Sequence, residues 1–164
     1  LGKDQPIIRV MPNTPVSINQ GMSAIVLGKS IDQSYIEFTK KLFNSLGKII
    51  MLKNEKDIHA VTAISGSGPA YVFNFIENLS EIGEELGLSS EVARKLSIQT
   101  VLGAGFLASS SDLDAGSLRK NVTSPGGTTE AALKVLMDKK VGWKPIIKEA
   151  IQAAHVKSRK LASN

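Results

Sequence analysis

The sequence predicts a mixed fold, a short α/β piece followed by helices only. Three observations predict it. Three apolar, strand-like runs fall within the first 53 residues. One stretch with helical spacing separates the second run from the third. After Glu55 the strand signature disappears, and every apolar pattern repeats at helical intervals.

In order, residues 6–11 (PIIRVM) read as a strand, ended by the tight loop Pro12-Asn13-Thr14-Pro15. Gly21–Gly28 is a second strand bracketed by glycines. Ser30-x-x-Gln33 matches a capping box. Tyr35, Phe38, Leu42 and Leu46 then share one helix face, with Gly47 placed as the helix stop. Residues 48–52 (KIIML) are the third strand. Strand, strand, helix, strand cannot close a sheet of its own, so residues 1–54 read as the trailing edge of a larger α/β domain. The chain opens on Leu1 rather than Met and leads straight into a strand-like run. A fragment lacking its natural N-terminus is therefore expected.

Residues 55–164 read as all-α. A short helix over 57–64 is broken by Ser65-Gly66-Ser67-Gly68-Pro69, and Pro69 suits the first turn of the next helix. That helix carries Val72, Ile76, Leu79, Ile82 and Leu86 on one stripe and stops at Gly87. Ser89 or Ser90 caps the next helix, which runs to about Leu107. Its segment Val101–Leu107 is apolar all round and needs cover on every side, from its own domain or from a second subunit. Asp114 caps a helix leading to Asn121; further helices follow over 129–139 and 145–161.

Composition removes several classes. Apolar residues make up 42% of the 164 residues, so a core is available and disorder is not expected. Without cysteine there is no disulfide framework and no thiolate chemistry, which fits a reducing, cytoplasmic setting. No apolar run reaches membrane-spanning length. The net charge is +5, but the cations are spread along the chain, with a modest cluster at Lys157, Arg159 and Lys160. With eight aromatic side chains and no basic–aromatic stripe, a solvated face explains the charge better than nucleic-acid binding. Gly103-x-Gly105-x-x-Ala108 has the letters of a dinucleotide fingerprint but lies within a helix pattern, where it reads as close helix packing. His59 and His155 stand alone, without metal-ligand spacing, so no metal is expected.

One stretch does suggest chemistry. In Lys120–Glu130 (KNVTSPGGTTE) a helix ends, a proline–glycine turn follows and a new helix begins. The first amides of that helix have no intrahelical partner and lie at the positive end of its dipole. They form a seat for a carboxylate or phosphate. The same letters also describe a plain helix–helix turn with a threonine cap.

Three blocks in order, RVMPNTP at Arg9–Pro15, AVTAISGSGPAY at Ala60–Tyr71 and LRKNVTSPGGTT at Leu118–Thr129, resemble the pyrroline-5-carboxylate reductases. The resemblance runs nearly the whole chain but lacks that family's N-terminal glycine fingerprint. It implies that residues 1–54 are the C-terminal edge of a Rossmann-type dinucleotide-binding domain. Residues 55–164 would be an all-α dimerisation and substrate-binding domain. It further implies hydride transfer from NADPH or NADH to the C=N bond of 1-pyrroline-5-carboxylate, giving L-proline. The implied partner is a second copy of the chain, as a homodimer or a ring of dimers. Carried over residue by residue, Thr129 is the catalytic hydroxyl. Ser124, Gly126, Gly127, Thr128 and Thr129 bind the substrate, with the amides of Gly127, Thr128 and Thr129 on its carboxylate. Val10, Met11 and Asn121 approach the nicotinamide. Glu130, like-charged with the substrate, is expected to point away. The fragment alone is expected to be inactive. A dimerisation module without activity, or a reductase of a related cyclic imine, are the other readings the residues leave open.

Overall fold

The computed structural model describes residues 5–162. These form two compact units, one from residues 5–71 and 150–162, the other from 72–149.

The first unit is built on a three-stranded sheet in the order β1 (Ile8–Met11), β2 (Gly21–Leu27), β3 (Gly47–Leu52). β1 runs antiparallel to β2, pairing Ile8 with Leu27 and Met11 with Ala24. β2 runs parallel to β3, pairing Gly21 with Gly47 and Val26 with Leu52, and α1 (Gln33–Asn44) is the crossover between them. The central strand lacks the alternation of a half-exposed strand because Ser23, Ala24, Ile25 and Val26 are all buried. Ala24 and Val26 meet Ile58, with Met11, Leu52 and Val61 around them. This cluster is the core that holds the end of β1.

Two sequence expectations move here. Ser30 adopts a left-handed backbone (φ 55°), so it cannot serve as the extended N-cap of a capping box. Asp32 occupies the N-cap instead, without a side-chain bond. Gly47 does not stop α1, which ends at Ser45; it opens β3 at φ 143°, where a Cβ would strike the Gly21 carbonyl.

The expected helix over 57–64 is composite. A 3₁₀ turn (Glu55–Asp57) leads into α2 (Ile58–Val61) and then a π-turn (Thr62–Gly66). α3 (Gly68–Glu85) follows directly, with Pro69 in its first turn. Gly87 (φ 95°) ends α3 as expected: the Leu88 amide donates to the Gly83 carbonyl at 3.1 Å, the Schellman closure. Within this unit His59 Nδ1 lies 3.0 Å from Ser158 Oγ, and the His155 ring stands edge-on to His59 at 6.4 Å. Both histidines are thus accounted for by packing on α7 (Trp143–Ala162).

In the second unit, Ser89 caps α4 (Ser90–Ser110), accepting from the Val92 amide. Phe75 and Trp143 meet edge to face at 5.1 Å. Of this unit's apolar side chains, Ala93 is the one that is buried among the described residues. Leu96, Leu102, Phe106 and Leu107 are each about half exposed along α4. A Cβ on Gly103 or Gly105 would meet nothing within 4 Å. The close packing expected of these glycines is therefore not made within the single chain.

Asp114 caps α5 (Ala115–Asn121), accepting from the Gly116 amide at 2.8 Å, the Ser117 amide at 3.1 Å and the Ser117 hydroxyl at 2.8 Å. The Ser117 hydroxyl first, then the backbone amides, hold its carboxyl below the ordinary 3.8. A carboxylate whose folded pKa is depressed stabilises the fold above its unfolded pKa. That contribution fades as pH falls through the folded value. Asp114→Asn keeps the acceptor but not the charge. It is expected to melt lower than the parent at neutral pH, with the gap closing below about pH 4. Melting temperatures across an acid series check this; a gap that persists in acid would contradict the charge argument.

Candidate functional site

The turn that the sequence singles out is assembled by local bonds. α5 ends at Asn121, and Thr123 closes its last turn: the Thr123 hydroxyl donates to the Arg119 carbonyl at 2.6 Å and its amide to the Lys120 carbonyl at 3.0 Å. Ser124-Pro125-Gly126-Gly127 then reverses the chain. The Gly127 amide donates to the Ser124 carbonyl at 3.0 Å, Pro125 supplies the fixed φ, and Gly126 has φ 72°. Proline second, a left-handed residue third and a closing bond make a type II turn. The left-handed position is thus Gly126. Gly127 is extended (φ −82°, ψ 170°) and serves as N-cap of α6 (Thr128–Leu136). A Cβ on Gly127 would stand 3.0 Å from the Ser124 carbonyl, so glycine there keeps the turn tight.

The helix start has no side-chain cap. Neither threonine hydroxyl has a hydrogen-bond partner among the described residues, so the plain threonine-cap reading finds no support. Instead Glu130, three residues past the N-cap, folds back, and its Oε2 accepts from the Gly126 amide at 2.8 Å. This is a capping-box return shifted one residue outward. Glu130 is thereby tied to the glycine turn itself.

These bonds settle which amides remain. Gly126 N–H is used by Glu130, and Gly127 N–H by Ser124. Thr128 and Thr129 occupy the first two helical positions, where no intrahelical acceptor exists. Of the three amides expected at Gly127, Thr128 and Thr129, that of Gly127 is bonded within the turn; those of Thr128 and Thr129 remain, with the Glu130 amide next along the helix. The Thr129 side chain is half-buried beside them, while Asn121, Ser124 and Thr128 are exposed.

Beside the turn lies an open hollow of about 770 Å³. Arg119, Lys120 and Lys134 supply its cations, and Glu130 also lines it. Gly126 and Gly127 reach its wall; Asn121, Ser124 and the two threonines do not.

Val10 and Met11 belong to the other compact unit, at the end of β1. Both are half-buried, and Met11 rests on the sheet core. The Met11 methyl lies where a Cβ on Gly66 would stand, 2.7 Å away, so the bare backbone of the π-turn makes room for it. Sequence reasoning missed the residue that organises this corner. Asn13 bonds both to the strand and to the π-turn, and its only sequence signal is its place in the loop after β1. Among the described residues no cluster of three metal-ligating side chains occurs, and no helix is long and apolar enough to cross a membrane.

Comparison with known proteins gives a consistent set of similarities. A family model described as pyrroline-5-carboxylate reductase dimerisation matches residues 55–161. The pyrroline-5-carboxylate reductase of Pseudomonas aeruginosa is 41% identical over 162 residues, covering 99% of this chain and 59% of the relative. That of Pisum sativum is 41% identical over 155 residues, covering 94% and 56%. Among solved structures, a pyrroline-5-carboxylate reductase from Coxiella burnetii superposes with a TM-score of 0.92 at 38% identity, covering 98% of this chain and 59% of that one. A Plasmodium falciparum pyrroline carboxylate reductase with NADP bound gives 0.88 at 36% identity, covering 97% and 60%. The chain thus spans a little under two thirds of the length of the relatives it matches.

Proposed function

Because the chain belongs to the pyrroline-5-carboxylate reductase family, carrying its dimerisation domain at residues 55–161, we propose that it is the substrate-binding and dimer-forming part of such an enzyme. The full-length enzyme reduces the C=N bond of 1-pyrroline-5-carboxylate to L-proline, the last step of proline biosynthesis, in the cytoplasm. The observation that carries this reading is the type II turn at Ser124–Gly127, which leaves the adjacent amides and the unbonded hydroxyls of Thr128 and Thr129 at the head of α6.

In this reading the Thr128 and Thr129 amides hold the substrate carboxylate, where the helix dipole favours an anion. Gly126 and Gly127 keep the turn low enough for the ligand to approach, and Ser124 braces it. Thr129 Oγ1 hydrogen-bonds the ring nitrogen. It orients the imine and follows its charge as the amine forms. Glu130, held on Gly126, keeps its negative charge on the side of the basic hollow.

A bound nicotinamide, from NADPH or NADH, supplies the hydride. The residues of this chain suit only that end of the cofactor: Val10 and Met11 offer an apolar surface at the end of a strand, where α/β sheets place ligands. Asn121 faces the nicotinamide bound to the partner subunit. Gly103 and Gly105 lie within α4 and do not form a phosphate-binding turn. The boundary at residues 54/55 as the division between cofactor-binding and helical domains is supported by the family match, which begins at residue 55.

The chain on its own is then a dimer without turnover. Half-exposed α4 with its bare glycines supports a second copy as the missing cover. The test compares this chain with the full-length gene product, each given pyrroline-5-carboxylate and NADPH, with a six-membered cyclic imine acid as competitor. Oxidation of NADPH with proline formed by the full-length enzyme alone is expected. Turnover by this chain would refute its silence, and preference for the larger ring would refute the substrate.

A further inference from the structure

Two of the sequence blocks, RVMPNTP and AVTAISGSGPAY, are joined by one side chain. Asn13 Nδ2 donates to the Ser65 carbonyl at 3.1 Å, and Asn13 Oδ1 accepts from the Met22 amide at 2.8 Å. The amide orientation follows from its partners: a carbonyl needs a donor, an N–H an acceptor. Asn13 therefore ties the start of β2 to a helix 52 residues away.

That helix is out of α-register where Asn13 holds it. The Ser67 amide donates five residues back to the Thr62 carbonyl, at 2.8 Å. The extra residue in the turn leaves carbonyls that need partners from elsewhere. Ala63 takes the Tyr71 hydroxyl at 3.1 Å, and Ser65 takes Asn13. Such π-turns occur mostly as single insertions at functional sites. This one ends on Gly66, the residue whose missing Cβ admits the Met11 methyl.

We propose that Asn13 is a positioning residue for hydride transfer. It clamps the π-turn against the end of β1 and so fixes the Met11 side chain that forms the nicotinamide seat. Asn13 touches no reacting atom; it acts through Met11. The inference rests on the placing of Met11 at the nicotinamide in the proposed function.

The test uses the full-length reductase carrying this chain, with Asn13→Asp and Met11→Ala side by side. Aspartate keeps the acceptor for the Met22 amide but sets a second acceptor against the Ser65 carbonyl. Only the tie to the π-turn is broken. Turnover is expected to fall about tenfold, because a displaced seat misaligns the reacting centres. KM for the nicotinamide is expected to rise while KM for the imine acid stays, and the Met22 amide should remain protected from hydrogen exchange. A lowered melting temperature with normal turnover and normal KM values would overturn the proposal, leaving Asn13 a structural tie. If Met11→Ala changes the nicotinamide KM but Asn13→Asp does not, the positioning role alone falls. If Met11→Ala leaves the kinetics unchanged, the seat itself is misplaced and the positioning role falls with it.

Discussion

Phe106→Glu is expected to leave the chain monomeric or aggregated at concentrations where the proposed dimer of the parent sequence forms. Six apolar side chains are buried among the described residues, and Ala93 is the one on α4. Phe106 is 56% exposed, Leu107 55% and Leu102 47%, on a helix whose glycines meet nothing. An exposed apolar surface of this extent marks an interface. In a two-fold dimer each substitution acts twice. Burying one phenylalanine is worth about 2 kcal/mol, so two account for about 4 kcal/mol, roughly a thousandfold in dissociation constant. Desolvating two carboxylates adds to the loss. Sedimentation equilibrium measures it directly. An unchanged dimer mass for Phe106→Glu would show that α4 lies outside the interface.

The α/β edge was legible because its signals are local. β2 is buried on both faces, so its residues read apolar apart from the small Ser23, and Asp114 and Ser89 stand immediately before the helices they cap. The failures have one physical source: choices made by contacts that sequence spacing does not display. Ser30 has the letters of a cap but a left-handed backbone, so Asp32 starts α1 instead. Gly47 looks like a helix stop, yet its freedom is used against the Gly21 carbonyl of the neighbouring strand. The π-turn has no composition of its own. Its stray carbonyls are taken up by Tyr71 and by Asn13, the latter 52 residues away.

The candidate site divides the same way. A proline–glycine turn ahead of α6 was legible, because Pro and Gly constrain their own dihedrals. Which glycine is left-handed, and which amides remain for a ligand, was not. That depends on the Gly127 to Ser124 closing bond and on the return of Glu130 to Gly126. Sequence spacing alone indicated an anion seat or a plain turn, and the family resemblance placed three amides, those of Gly127, Thr128 and Thr129, on a carboxylate. In the folded turn the Gly127 amide is bonded to Ser124, the Thr128 and Thr129 amides remain, and the Glu130 side chain takes part in building the turn.

Thr129→Val in the full-length reductase is expected to lower turnover about a hundredfold or more while barely changing the melting temperature. Valine keeps the β-branch and the volume. It removes no cap, because α6 is capped by Gly127 without any side-chain bond, and the Thr129 hydroxyl has no partner among the described residues whose loss could destabilise the fold. The Thr128 and Thr129 amides are untouched, so the carboxylate still docks and KM for the imine acid should change little. In the proposed reading, what disappears is a hydrogen bond to the nitrogen whose charge changes during reduction. An interaction that strengthens along the reaction acts on turnover more than on binding. Removing one such contact costs about 2–4 kcal/mol of transition-state stabilisation. If the imine arrives already protonated, the deficit shrinks at low pH and grows as pH rises. A Thr129 that merely supported the helix would show the opposite pair of results, a lowered melting temperature with normal turnover. Measuring both quantities on the one variant decides between a reacting-centre hydroxyl and a structural one.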